Sequence, residues 1–235
     1  MKTVYCVSDV HSTYTKFLQQ MPKKVDKLII AGDLFNKGTE QEEMFMWLYE
    51  NYSNPKYIFI YGNHDVRFFN ELHRLFYPTK QLDNKDLTDV WYKSDSNINI
   101  TNVVRDLIIK KKVDYNIIMK KIMPVFKWYH IEHINNKHFI ISHASWQTYR
   151  TAKEQDKRNL VYDTNLLLNE VRRKSQTLSK YIDFCKSHNT YHIFGHFPCP
   201  KVFNVEAPYI YQEHLIYIDN AVFQRAHPYY FHRLE

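Results

Sequence analysis

KLIIAGDLFNKG, residues 27–38, decides the fold. After Lys27 come four apolar, partly β-branched residues that stop at Gly32, which marks a short buried strand closed by a turn. Asp33 follows at once, at the strand's carboxyl end. The same pattern recurs on either side. Upstream, KTVYCVSDVH (2–11) is a strand over 2–8 that runs into Asp9 and His11. Downstream, KYIFIYGNHD (56–65) is a strand over 56–61 that runs into Gly62, Asn63, His64 and Asp65. Two helices are expected between them. One covers 12–21 with Ser12 as its cap. The other covers 39–52, with Thr39 as cap and Glu40, Glu42 and Glu43 where a helix N-terminus favours negative charge. This β-α-β-α-β opening implies an α/β protein with a largely parallel sheet covered on both faces.

Further along, helices are expected over 65–76, 84–93 and 101–123. WYHIEHINNKHFIISHA (128–144) is two strands joined at Asn135-Asn136, since Asn tolerates the left-handed conformation of tight hairpin turns. A long helix is expected over 164–188. YHIFGH, KVFNVE, LIYID and PYYFHRLE then look like short strands. With no internal repeat, low-complexity stretch or Gly/Ser linker, residues 1–235 are expected to form one domain. The helical stretch 77–127 interrupts the strand order and is the candidate insertion or cap.

Composition narrows the function classes. The 235 residues are 44% hydrophobic and 24% charged, ordinary for a globular chain. Cys6, Cys185 and Cys199 are too few and too scattered for a disulfide framework or a zinc ribbon. No apolar run approaches the ~20 residues of a membrane span, and Met1 leads straight into a strand, so a cytoplasmic protein without membrane contact is expected. The net charge of +7 is dispersed apart from Lys110, Lys111 and Lys112. It suits an anionic substrate. Nucleic acid is the disfavoured partner, because no recognition motif accompanies the charge.

The chemistry lies in Asp9-Val10-His11, Gly32-Asp33, Gly62-Asn63-His64-Asp65, Ser142-His143-Ala144 and Gly195-His196, each at the end of an expected strand. Loops at the carboxyl ends of strands are where α/β sheets bind ligands. Asp, His and Asn are the oxygen and nitrogen donors that zinc, manganese and iron accept. Two metals about 3.5–4 Å apart need a shared carboxylate and two further ligand sets. Asp33 is the natural bridge. Asp9 and His11 would complete one metal, and Asn63, His143 and His196 the other.

SDVH, GDLFNKG, GNHD, ISHA and GHFP resemble, in order and spacing, the five blocks of the calcineurin-like metallophosphoesterases. GHFP and LIYIDNAVF are similar to the phosphoprotein phosphatase branch, which includes bacterial and phage Ser/Thr phosphatases and symmetric diadenosine tetraphosphate hydrolases. The resemblance implies mixed β-sheets sandwiched by helices, with the active site at the C-terminal strand ends. It implies two divalent metals, manganese first, with iron, zinc or nickel as alternatives. It implies a phosphoester hydrolase working through a metal-bound hydroxide, with His64 as the general acid. The leading substrate is a phosphomonoester, on protein or a small molecule. The alternatives are a dinucleoside polyphosphate or nucleotide, or a weakly active binding module that keeps its metals.

The sequence also departs from that branch. Asn36 stands where a carboxylate normally orients the catalytic His. Lys37 stands where an Arg clamps phosphate, Tyr61 replaces another Arg, and a third falls near Thr164. Asn36 is expected to accept a hydrogen bond from the His64 ring. Arg67 and Arg150 are candidate substitutes for the lost phosphate contacts, though a solvated surface position is the plainer expectation for each. Asp65 is expected to cap the helix that follows it. His130, His133 and His138, and the cluster Tyr229, Tyr230 and Phe231, are expected to be ordinary packing residues.

Overall fold

The computed structural model describes residues 2–77, 100–144, 176–222 and 227–235. Its architecture follows from alternation along short strands: β1 (Val4–Val7), β2 (Lys27–Ala31) and β3 (Tyr57–Ile60). Successive side chains leave a sheet on opposite faces. Val7, Leu28, Ile30 and Phe59 point to one side, where they meet Phe17, Phe45, Leu48, Phe68, Phe69 and Val104. These come from helices α1 (Tyr14–Gln20), α2 (Gln41–Asn51), α3 (Asn63–Phe76) and α4 (Ile100–Ile109). Val4, Cys6, Ile29, Ala31 and Ile60 point to the other side and pack on Phe139, Ile141, Ile193 and Ile216 of a second sheet. Full burial of each such Val, Leu, Ile or Phe contributes roughly 1.5–3 kcal/mol.

The second sheet contains β5 (Tyr129–Ile134), β6 (Lys137–Ser142), β7 (Thr190–Phe194), β8 (Tyr209–Tyr211) and β9 (Leu215–Tyr217), in the order β5-β6-β7-β9-β8. Helix α5 (Gln176–Ser187) covers its outer face through Leu178, Tyr181 and Ile182. The layers are therefore helix, sheet, sheet, helix. Strands β1, β2 and β3 are mutually parallel, as are β6, β7 and β9, while β10 (His232–Arg233) joins β1 antiparallel. Both sheets are mixed and their parallel strands end at one common edge.

Several local expectations change. Ser12 and Thr39 cap nothing: α1 and α2 begin after Thr13 and Glu40, and neither of those makes a side-chain cap bond. Ser12 is instead buried and donates to Gln41 Oε1 at 2.7 Å. The helix expected over 101–123 breaks after Ile109, with Lys111 left-handed. Asp114 then restarts it, its carboxylate accepting from Asn116 N at 2.6 Å, which is N-cap chemistry. A helical turn (Tyr115–Ile117), a π turn (Ile118–Ile122) and a 3-10 turn (Met123–Val125) lead into β4 (Phe126–Lys127), which pairs with β3. KVFNVE is not a strand, because Pro198 and Pro200 bracket the start of a helical turn, α6 (Cys199–Val202). The 128–144 hairpin forms as expected, with Asn135 and Asn136 both left-handed. The helix expected over 84–93, Arg150, Thr164 and the first part of the 164–188 helix lie outside the described residues.

Candidate metal centre

Parallel strands that end together deliver their loops to one place. Asp9 and His11 follow β1, Asp33 follows β2, Asn63 and His64 open α3 after β3, His143 follows β6, and His196 follows β7. The structure brings all of them together. Ligand atoms of His11, Asp33 and His64 lie within 4.8 Å of one another, as do those of Asp9, Asp33 and His143. Asp33 faces both ways: Oδ2 is 3.6 Å from His11 Nε2, and Oδ1 is 3.5 Å from His143 Nε2. Asp9 Oδ1 lies 3.6 Å from His11 Nε2, while its Oδ2 accepts from His196 N at 2.9 Å.

Backbone carbonyls fix the rings. His11 Nδ1 donates to Phe35 O at 3.1 Å, and His143 Nδ1 donates to Ala31 O at 3.0 Å. A carbonyl can only accept, so each neutral ring carries its proton on Nδ1 and turns an Nε2 lone pair to the centre. His143 Nε2 then lies 3.2 Å from Asn63 Oδ1 and 3.1 Å from His196 Nδ1. Lone pairs converging on lone pairs, beside two buried carboxylates, form a donor set that fits cations. The chemistry is the mixed N/O set of zinc, manganese or iron.

The loops are held under strain. Asp9, His11, Ser12, Asp33, Asn36, Lys37 and His196 all have φ between 47° and 66°. Each such residue costs on the order of 1–3 kcal/mol and persists only where its surroundings over-determine it. Here Asp9 N donates to Gly32 O at 3.1 Å, His11 N to Asp33 O at 2.9 Å, and Ser12 N to Leu34 O at 2.9 Å. Glycine is required where the loops touch. A Cβ on Gly62 would lie 2.2 Å from Asp33 Oδ1, and one on Gly195 would lie 2.2 Å from Asp9 Oδ2.

Burial pushes the Asp33 carboxyl up, but the charges of His143, His64, His11 and Lys37 outweigh it and hold the group below the usual carboxylate range. Asp9 is also lowered: burial again opposes, and the His11 hydrogen bond and the His143 charge prevail. Burial takes His64 down to about 3 and, with help from the His143 charge, His196 down to about 4. Two further acids move the other way. Asp65 is raised by burial and the Asp33 charge, and Asp219 by burial and the Asp9 charge.

Around the donor set, Asn36 Nδ2 lies 3.4 Å from His64 Nδ1, and Asn36 Oδ1 accepts from Ile100 N at 3.3 Å. The expected direction is thus reversed. The α4 backbone N–H claims the amide oxygen, so the amide donates to the ring instead of accepting from it. Lys37 Nζ reaches in to 3.2 Å from His11 Nε2. Arg67 is not a solvated surface residue: its Nε donates to Glu71 at 2.6 Å, and Glu71 also accepts from Thr101 Oγ1. Tyr61 is buried with its hydroxyl on Met123 O at 2.8 Å, so it packs where the branch pattern would place a phosphate-binding Arg. Asp65 does cap α3, accepting from Gly62 N at 2.9 Å, and it also accepts from Leu34 N at 3.0 Å. Sequence reasoning missed Gln41. Buried at the start of α2, it accepts from Ser12 Oγ and Asn36 N and donates to Gly38 O at 2.7 Å, joining two of the loops. His138 lies in β6 at the end opposite His143, and it faces His133 across the hairpin, away from the site.

A profile of the calcineurin-like phosphoesterases matches residues 2–200. The chain belongs to that family. Its layered fold is the family's. Among curated relatives, the symmetrical bis(5'-nucleosyl)-tetraphosphatase of Buchnera aphidicola subsp. Schizaphis graminum is 28% identical over 132 residues, 54% of this chain and 46% of the relative. The match thus spans about half the length of that relative. Among solved structures, a putative diadenosine tetraphosphatase superposes with a TM-score of 0.56 at 14% identity, over 95% of this chain and 85% of the other. A metallophosphoesterase from Sphaerobacter thermophilus gives a TM-score of 0.46 at 11% identity, over 99% and 88% of the two chains. Among the described residues no helix is long and apolar enough to cross a membrane.

Proposed function

We propose that the chain is a two-metal hydrolase of phosphoanhydrides, of the dinucleoside polyphosphate type. Asp9, His11 and Asp33 would hold one divalent metal, and Asp33, Asn63, His143 and His196 the other, with manganese the first candidate. The metals would supply water activation and charge neutralisation at phosphorus. Lys37 adds a cation for phosphate.

The observation that carries the substrate class is the Asn36–His64 contact. The Asn36 amide donates to Nδ1, so the neutral ring holds its proton on Nε2, which faces Asp33 Oδ2 at 3.9 Å. A neutral Nε2–H is a good hydrogen-bond donor and a poor acid, because giving up its proton would leave an imidazolate. An alkoxide leaving group, as from phosphoserine, needs a proton. A nucleoside polyphosphate leaves as a stabilised anion and needs only hydrogen bonding. The similarity to a symmetrical bis(5'-nucleosyl)-tetraphosphatase supports the same class. Phosphomonoesters remain the second reading, favoured by the Lys37 ammonium beside the donor set. With manganese added, kcat on diadenosine tetraphosphate should exceed that on an alkyl phosphomonoester by about 10²-fold, the low end of what acid catalysis supplies. Equal turnover of the two would sink the anhydride reading.

A further inference from the structure

We propose that Tyr229 is a positioning residue for the Asp9–His11 arm of the metal centre, and that the C-terminal segment latches that arm in place. This rests on the two-metal reading above. Asp9, His11 and Ser12 are left-handed at φ 54°, 47° and 52°, so the peptides around Val10 have an unfavourable local geometry that must be imposed from outside. The bonds to the β2 loop hold the N–H groups of this arm. The carbonyl of Val10, between the two ligand residues, is held from the opposite side. The Tyr229 hydroxyl donates to Val10 O at 2.8 Å and accepts from Thr13 Oγ1, which itself lies 2.9 Å from the same oxygen. Tyr229 is buried against Phe17. Its own position is fixed by three contacts along the segment: Tyr229 N donates to Gln20 Oε1 at 2.7 Å, Lys16 Nζ to His227 O at 2.5 Å, and Asn220 Nδ2 to Pro228 O at 2.9 Å. Strand β10 then ties the segment to β1, the strand that delivers Asp9. A residue 219 positions from Val10 along the chain thus completes the outer support of that loop, and outer support governs metal affinity.

Tyr229→Phe removes the hydroxyl and keeps the ring. Manganese titration of the metal-free protein, by calorimetry and by the electron paramagnetic resonance of bound Mn(II), should show one of two equivalents weakened about tenfold and the other unchanged. Thermal unfolding of the metal-free variant should stay close to wild type. Tyr230→Phe deletes a hydroxyl that, among the described residues, meets the His232 ring at 3.4 Å, and should bind both equivalents as wild type does. Two unaltered affinities in Tyr229→Phe would overturn the latch, and so would equal weakening of both equivalents together with a loss of metal-free stability, the mark of a merely structural residue. A wild type that takes up fewer than two equivalents would instead overturn the two-metal reading itself.

Discussion

The two sides of the site are built differently. On the metal side, four of the six proposed donors are fixed through the backbone: carbonyls hold His11 and His143, a main-chain N–H holds Asp9, and His64 N donates to Asp33 Oδ1 at 3.0 Å. On the substrate side, positions depend on side chains holding side chains. Asn36 turns to His64 because α4 takes its oxygen, and Arg67 is drawn to Glu71. Backbone bonding is dictated by strand order and loop length, so it survives many substitutions. Side-chain partnerships change with one residue. The metal side is thus set by the backbone, and the His64 ring by its side-chain neighbours.

The largest effect should come from breaking the metal side. Asp33→Asn removes the one carboxylate that faces both ligand sets, so manganese uptake should fall below two equivalents. Turnover should fall by about 10³-fold or more, since metal charge stabilisation is worth several kcal/mol. Elemental analysis and kcat measured on the same preparation check this. Full activity in the variant would mean that the centre is not arranged around Asp33.

A smaller effect should sharpen the other side. In the wild type, burial holds the His64 pKa down at about 3, and the Asn36 amide adds no charge to oppose it. A carboxylate in Asn36→Asp favours the imidazolium, so the folded-state pKa rises and the ring keeps an acidic proton to higher pH. The alkaline limb of kcat on an alkyl phosphomonoester should therefore move upward, with a gain of about tenfold near neutrality, while diadenosine tetraphosphate turnover changes little. An unmoved alkaline limb in the folded, metal-loaded variant would show that position 36 does not govern the ring.

The smallest effect should come from Arg67. Its guanidinium pairs with Glu71 four residues along α3, both side chains being partly buried. Arg67→Ala should cost about 0.5–1 kcal/mol of stability in denaturant unfolding and change KM by less than about twofold. A tenfold rise in KM with kcat unchanged would instead make Arg67 a ground-state phosphate contact.

Much of this was legible in the sequence. Strands β1, β2 and β3 were marked by apolar β-branched runs, and the Asn135-Asn136 turn by its residue types. The proposed ligand set was marked by Asp, His and Asn each following an apolar strand. The boundaries of α1, α2 and α6 were less legible. Ser12 and Thr39 are good cap residues in isolation, but a tertiary partner outbid local capping at Ser12, where Gln41 lies across the fold.

What the sequence determined by itself was local: which residues extend, where they turn, and which loops carry metal-type donors. Those properties depend on nearest neighbours along the chain. Tertiary structure decided three further things: that the Asn36 amide presents its N–H to His64, that Gln41 joins two loops, and that Tyr229 supports the Asp9–His11 arm. Each rests on a hydrogen bond between residues far apart in the chain or on competition for one acceptor. Its direction is fixed only when the third partner, the Ile100 N–H, the Ser12 hydroxyl or the Val10 carbonyl, is in place.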